Sequence, residues 1–139
     1  MKTNKMCRLI KSEDLNHHGT LFAGRMAEWF VEGSFIAASR LFGDPNSVVC
    51  VKLHGLKFGT PSNKGDIIEL ETKVVAVGNT SITVYGKVTR NETSAILVDG
   101  FTTFVCVDEN GKKMLHNLSK PEASNEEEIM LIARAKELK

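Results

Sequence analysis

Between Thr20 and Phe42 the chain reads TLFAGRMAEWFVEGSFIAASRLF, with Leu21, Phe22, Met26, Trp29, Phe30, Phe35, Ile36, Leu41 and Phe42 spread over most of a helical circumference. The run is too long and too broadly apolar for a strand, and Gly43 and Pro45 in the GDPN that follows are stop signals. It predicts a helix of about six turns. A helix that is apolar nearly all round has to be buried, so the rest of the chain must be built around it. With 139 residues there is material for one such core and not for two. We therefore expect one domain over 1–139, its core over about 5–113.

The remaining segments supply a sheet. KMCRLI (5–10) reads as a short strand, SVVCVKLHGLKF (47–58) is rich in β-branched residues, and IIELETKVVAV (67–77) and SITVYGKVTR (81–90) alternate. SAILVDGFTTFVCVD (94–108) follows and is closed by ENGK, where Asn110 and Gly111 suit a tight turn. One long helix followed by a run of antiparallel strands is an α+β pattern and not a βαβ repeat. The tail PEASNEEEIMLIARAKELK predicts an amphipathic helix over about 123–138, capped by Ser124 or Asn125. Its Glu126, Glu127 and Glu128 read as acids complementing the positive end of the helix dipole.

Composition removes several classes of function. Eighteen Lys plus Arg against seventeen Asp plus Glu leave a net charge of +1, without the basic field of a nucleic-acid or anionic-membrane binder. Aromatic content is 6%, with no interleaving of aromatic and basic residues. Cys7, Cys50 and Cys106 are widely spaced in apolar runs, the setting of core thiols and not of a zinc site. The opening MKTNKMCRLI has no signal-peptide h-region and no run approaches a membrane span, so a cytoplasmic location is expected. There is no phosphate loop, HExxH or GxSxG. Chemistry has to come from the opening segment, DLNHHGTLFAGRMAEWFVEG.

At ~100° per residue, Arg25, Glu28, Glu32 and Ser39 fall within a sector of roughly 60° on the long helix. One reading is a solvated face with i,i+3 and i,i+4 charge neighbours. The other is an acidic pair on a buried helix, the arrangement that raises a carboxylate pKa and makes a general base. Ahead of the helix stand Asn16, His17 and His18, and Gly19, Ala23 and Gly24 flank its first turn. Small residues there let a ligand approach the free N–H groups at the positive end of the dipole, where a carbonyl can be polarised. The alternative is that Asn16 or Thr20 only caps the helix. Two adjacent histidines without further ligands do not make a metal site, and none is expected.

The motif N-x-x-G-x-x-F-x-G opening a long helix, here NHHGTLFAG (Asn16 to Gly24), resembles the hotdog-fold acyl-CoA thioesterases. The branch that looks nearest is that of the bacterial short- and medium-chain acyl-CoA hydrolases and the brain acyl-CoA hydrolases. The resemblance continues in order through VCVKLHGLKFGTPSNKGDIIEL (49–70), VVAVGNTSITVYGKV (74–88) and TTFVCVDENGKK (102–113), covering about residues 8–113.

The resemblance implies an antiparallel sheet of about five strands wrapped around a central helix, and a homodimer with paired sheets, often assembled further into a trimer of dimers. It implies hydrolysis of acyl-CoA to free acid and CoA, with CoA present only as part of substrate and product. Asn16 and Gly24 match the family's catalytic positions; the usual carboxylate, seven residues after that glycine, is Val31 here. Glu32 retains the second glutamate of the acidic pair in the brain-type enzymes and is the expected general base, with Glu28 second. The amides of Ala23 and Gly24 are the expected oxyanion donors. His54, Lys57 and Lys64, and Gly78, Thr80 and Ser81 of the loop VGNTS (77–81), are the expected CoA contacts, with substrate depth depending on packing around Phe30, Phe35 and Phe58. Two other functions fit a hotdog domain: a non-catalytic acyl-CoA sensor, which Val31 favours, and a hydratase or dehydratase.

Overall fold

A computed structural model describes residues 1–138. Five strands form one antiparallel sheet, β1 (Asn4–Leu9), β2 (Val48–His54), β3 (Ile67–Val77), β4 (Ser81–Arg90) and β5 (Val98–Cys106), with helices α1 (Ala23–Phe42) and α2 (Glu126–Lys136). The order across the sheet is β1-β3-β4-β5-β2. The strands flanking α1 in sequence therefore lie on opposite edges, and α1 crosses the face between them, touching all five strands. This is the α+β hotdog architecture expected from the sequence. No helix among the described residues is long and apolar enough to cross a membrane.

α1 begins at Ala23, after an N-cap residue, Phe22, that makes no side-chain cap bond. It ends at Gly43, whose φ of 96° is the left-handed cap and whose N–H reaches the Ser39 carbonyl at 2.7 Å. Phe30 sets its height above the sheet. Gly86 and Gly100 are direct cross-strand partners on β4 and β5; the fully buried Phe30 ring occupies the space the missing side chain leaves at Gly86, while Leu56 closes over Gly100. Around it Met26, Trp29, Ile68, Leu70, Val88 and Val98 form one cluster, while Ala37, Ala38, Ile82, Val84 and Phe104 form the next toward the far end of α1.

The other face of the sheet carries α2. Where β3 shifts register between Val74 and Ala76, Val75 packs instead with Tyr85, Phe101 and Leu131 beneath α2. Arg134 lies over the rings of Tyr85 and Phe101 and pairs with Asp99 at 3.3 Å. Asn125 is the cap, its side chain accepting from the Glu128 N–H at 2.8 Å.

Several expectations need correction. Glu126 and Glu127 are exposed, but Glu128 is buried: it accepts from the Ser124 N–H at 2.9 Å, the Ser124 hydroxyl at 2.7 Å and Lys73 Nζ at 3.2 Å. The Ser124 bonds, helped by Lys73, hold its carboxyl down to about 2. Of the three thiols only Cys106 is in the core; Cys7 and Cys50 are exposed because β1 and β2 are edge strands. β2 stops at His54, four residues early, where Gly55 turns to a φ of 41°. β5 starts at Val98 and not Ser94, after the chain passes through left-handed Asn91 and Glu92.

Candidate active site

The entrance to α1 is a tight loop closed by Asn16. Its Oδ1 accepts from the N–H groups of His18 at 2.9 Å and Thr20 at 3.2 Å, its Nδ2 donates to Thr20 Oγ1 at 3.1 Å, and its own N–H donates to the Thr20 carbonyl at 2.7 Å. Neither Asn16 nor Thr20 caps α1. The amide of Asn16 carries two N–H donors, so one remains after the bond to Thr20. Asp14, nearly fully buried, braces the same loop: Oδ2 accepts from the Lys11 N–H, Oδ1 faces Arg25 at 3.4 Å, and its carbonyl accepts from Phe22.

Arg25 and Met26 both donate to the Phe22 carbonyl, at 2.9 and 3.1 Å, so the amides of Ala23 and Gly24 precede the first helical bond. Ala23 and Asn16 line a cavity of about 230 Å³ together with Leu21, Met26, Phe58, Ser62 and Val98. Gly24 sits just outside it, with the exposed Phe22 ring over it, so that a Cβ there would stand 2.6 Å from the ring. Of the three phenylalanines expected to set substrate depth, Phe58 borders this cavity. Phe30 is core under the sheet, and Phe35 packs edge-on against Phe104.

A larger cavity, about 780 Å³, shares Gly59 and Val98 with the first and opens on the α2 face. His54, Lys57, Phe101, Arg134 and Leu138 border it. His54 Nε2 is 2.8 Å from Thr103 Oγ1, and burial, then the charge of Lys52, push its imidazole below the usual value.

The carboxylates are elsewhere. Glu28 and Glu32 are both exposed, paired with Arg25 at 3.8 Å and Arg8 at 3.0 Å, and neither lines the Asn16 cavity. Nine residues of helix separate Glu32 from Ala23, about 13.5 Å along the axis. The burial expected to activate Glu32 is absent in a single chain. Ser39, placed with them on one stripe, is buried, so the wet face ends before the last turn. Lys64 is exposed in the turn beside Asn63, which bridges to Thr20. Gly78, Thr80 and Ser81 are remote: Ser81 is seven residues along β4 from Val88, the partner of Val98, about 23 Å at strand rise. That loop is tied down, with the carbonyls of Asn79, Thr80 and Ser81 accepting from His116 N, Cys106 N and His116 Nε2. No group of three His, Cys, Asp or Glu among the described residues could hold a metal ion.

A family model described as the thioesterase superfamily matches residues 18–96, more than half of the chain, from inside the α1 entrance loop to just before β5. The chain belongs to the thioesterase superfamily. A curated relative, the "uncharacterized acyl-CoA thioester hydrolase YkhA" of Bacillus subtilis (strain 168), is 32% identical over 134 residues, covering 91% of this chain and 76% of its own. Among solved structures, an apo-hexameric acyl-CoA thioesterase is 31% identical with a TM-score of 0.85, over 97% of this chain and 86% of that one. An acyl-CoA hydrolase from Staphylococcus aureus, solved with butyryl coenzyme A and coenzyme A, has the same fold with a TM-score of 0.85 at 23% identity, over 97% and 80% of the two chains.

Within this thioesterase-superfamily frame two residues of the site carried no local signal. Ser62 sits in PSNKGD, which reads only as a strand breaker, and Asp14 sits in KSED ahead of the motif. Ser62 gains its place from the contact between the α1 entrance and the loop before β3, where Leu21 donates to its carbonyl at 2.8 Å, and Asp14 from the Lys11 and Phe22 N–H groups and Arg25 that close around it.

Proposed function

We propose that this chain hydrolyses acyl-CoA thioesters to a free carboxylic acid and CoA, at a site that two copies of the chain complete. The observation that carries this reading is the cavity at the start of α1, lined by Asn16 and Ala23, with Gly24 just outside it. The named acyl-CoA hydrolases among its relatives support the same activity. The thioester carbonyl sits at the helix terminus, where two preorganised amides stabilise the oxyanion as water attacks. The free N–H of Asn16 orients the carbonyl or the water. The base is Glu32 of the partner subunit, brought opposite this helix end, and its proton goes to the departing CoA thiolate. Lys57 and His54 at the larger cavity face the CoA moiety, with Lys64 nearby. Gly78, Thr80 and Ser81 meet its nucleotide end from a neighbouring copy.

Association is supported by β2. It pairs only with β5, and its free edge exposes Val49, Cys50 and Val51, the kind of edge a further strand covers. We propose a homodimer through this edge, with further assembly into a trimer of dimers.

A non-catalytic acyl-CoA binder is the second reading, favoured by the lack of any carboxylate lining the Asn16 cavity and by Val31 at the family's acid position. Thiol release from a panel of acyl-CoA esters separates the two. The wild type is expected to release thiol, Glu28→Gln to remain active, and Glu32→Gln to lose about 10²–10⁴-fold in kcat. Mixing Asn16→Ala with Glu32→Gln chains should restore about one quarter of wild-type activity, since one of two sites in each mixed dimer is intact. Binding without thiol release, or full activity of Glu32→Gln, refutes the mechanism.

A further inference from the structure

Besides the spare Asn16 N–H, the cavity at the α1 entrance is bordered by a buried hydroxyl that the loop network does not use. Ser62 is only 3% exposed, lines the cavity beside Asn16, and its hydroxyl has no hydrogen-bond partner. Its carbonyl accepts from the Leu21 N–H at 2.8 Å, which fixes the backbone and does not engage the side chain. The other walls set carbon from Leu21, Met26, Phe58, Pro61 and Val98 beside the polar side chains of Asn16, Thr20 and Thr60. Buried hydroxyls are nearly always bonded, and an oxygen brought in by the ligand would complete this one.

We propose that Ser62 selects the acyl group, so that the cavity prefers a short acyl chain carrying a hydroxyl or keto oxygen to a plain alkyl chain of the same length. This rests on the thioesterase reading above. A space of about 230 Å³ holds roughly eight groups of water size, far fewer than the atoms of CoA. What passes beyond the Ala23 amide is therefore the acyl end of the substrate. Leu21, Met26 and Val98 are shared with the core cluster under α1, so the inner wall cannot recede to admit a long chain. An alkyl chain leaves the Ser62 hydroxyl desolvated and unpaired; an oxygenated chain pairs it. Discrimination arises from the hydrogen bond that only the oxygenated chain makes to this hydroxyl.

The test compares kcat/KM for butyryl-CoA and 3-hydroxybutyryl-CoA on wild type, Ser62→Ala and Ser62→Thr. The wild type should favour the hydroxy ester by roughly tenfold. Ser62→Ala should abolish the preference by slowing only the hydroxy ester, and Ser62→Thr, which keeps a hydroxyl, should retain most of it. A wild type indifferent to the oxygen, or a Ser62→Ala protein slowed equally on both esters, overturns the proposal. Thiol release from butyryl-CoA tests the thioesterase reading on its own. If neither ester turns over, the ratio of their Kd values by calorimetry still reads the preference, and a ratio near one overturns it.

Discussion

Replacing Gly86 by Ala tests whether Phe30 fixes the position of α1 on the sheet. A methyl group at Gly86 would stand 2.9 Å from Phe30 Cζ, 3.0 Å from Cε2 and 3.5 Å from Leu70 Cδ1. Phe30 is fully buried and cannot swing toward solvent, and a Cβ on the opposite Gly100 would already lie 3.9 Å from the same ring. Overpacking of this kind costs about 1–3 kcal/mol. Stiffening of the unfolded chain by Ala returns about 0.4–1 kcal/mol, leaving a net loss of about 1–2 kcal/mol, or roughly 3–8 °C in Tm for a chain of this size. Trp29 is the single tryptophan, is buried, and neighbours Phe30, so urea unfolding followed by its fluorescence reads the change where it occurs. Phe30→Leu alone should also destabilise, by leaving a void. In the double variant the shorter side chain relieves the clash, so the loss should fall short of the sum of the two by about 1 kcal/mol. A Gly86→Ala protein as stable as wild type, or strictly additive losses, would refute the wedge.

Glu128→Gln should destabilise above about pH 4.5 and progressively less below it. The folded carboxyl titrates at about 2, under its ordinary 4.5, so its contribution is full above the unfolded value and is lost as pH falls toward the folded one; a difference from wild type that stays constant across an acid series of urea melts refutes this. Val51→Lys places a charge on the free edge of β2 and should shift the protein toward monomer in sedimentation velocity with unchanged circular dichroism; an unchanged mass would exclude that edge as the subunit contact.

The features legible in the sequence are local ones. α1 announces itself because no other element tolerates apolar side chains on nearly every face, and β3 and β4 alternate cleanly between the two faces of the sheet. The misreadings of burial depend on strand order or on contacts between distant segments. Cys50 lies in a run of valines that looks like a core strand, yet β2 is an edge and its run faces outward. Glu128 stands in a triplet that suits a helix N-terminus, yet Lys73, fifty-five residues away, and the Ser124 hydroxyl enclose it. Ser62 looks like part of a turn until the α1 entrance closes over it.

The carboxylate problem has the same origin at a larger scale. In sequence, Glu28 and Glu32 compete for one role because Val31 stands at the position where the family has its carboxylate. In one chain they compete for nothing, since each is exposed and paired with an arginine. The helix itself rules out an intrachain answer: Glu32 lies about 13.5 Å beyond the amides that would hold the carbonyl, and a rigid α1 pinned by Phe30 cannot close that gap. A twofold that sets two α1 helices antiparallel, with Glu32 of one opposite Ala23 of the other, satisfies both ends at once, because the same offset is repeated in reverse by symmetry. Glu28, at about 7.5 Å from Ala23, would need a different overlap of the helices. The choice between the glutamates is thus a choice of register between subunits, and the β2 edge proposed above as their contact lies outside anything the motif NHHGTLFAG encodes.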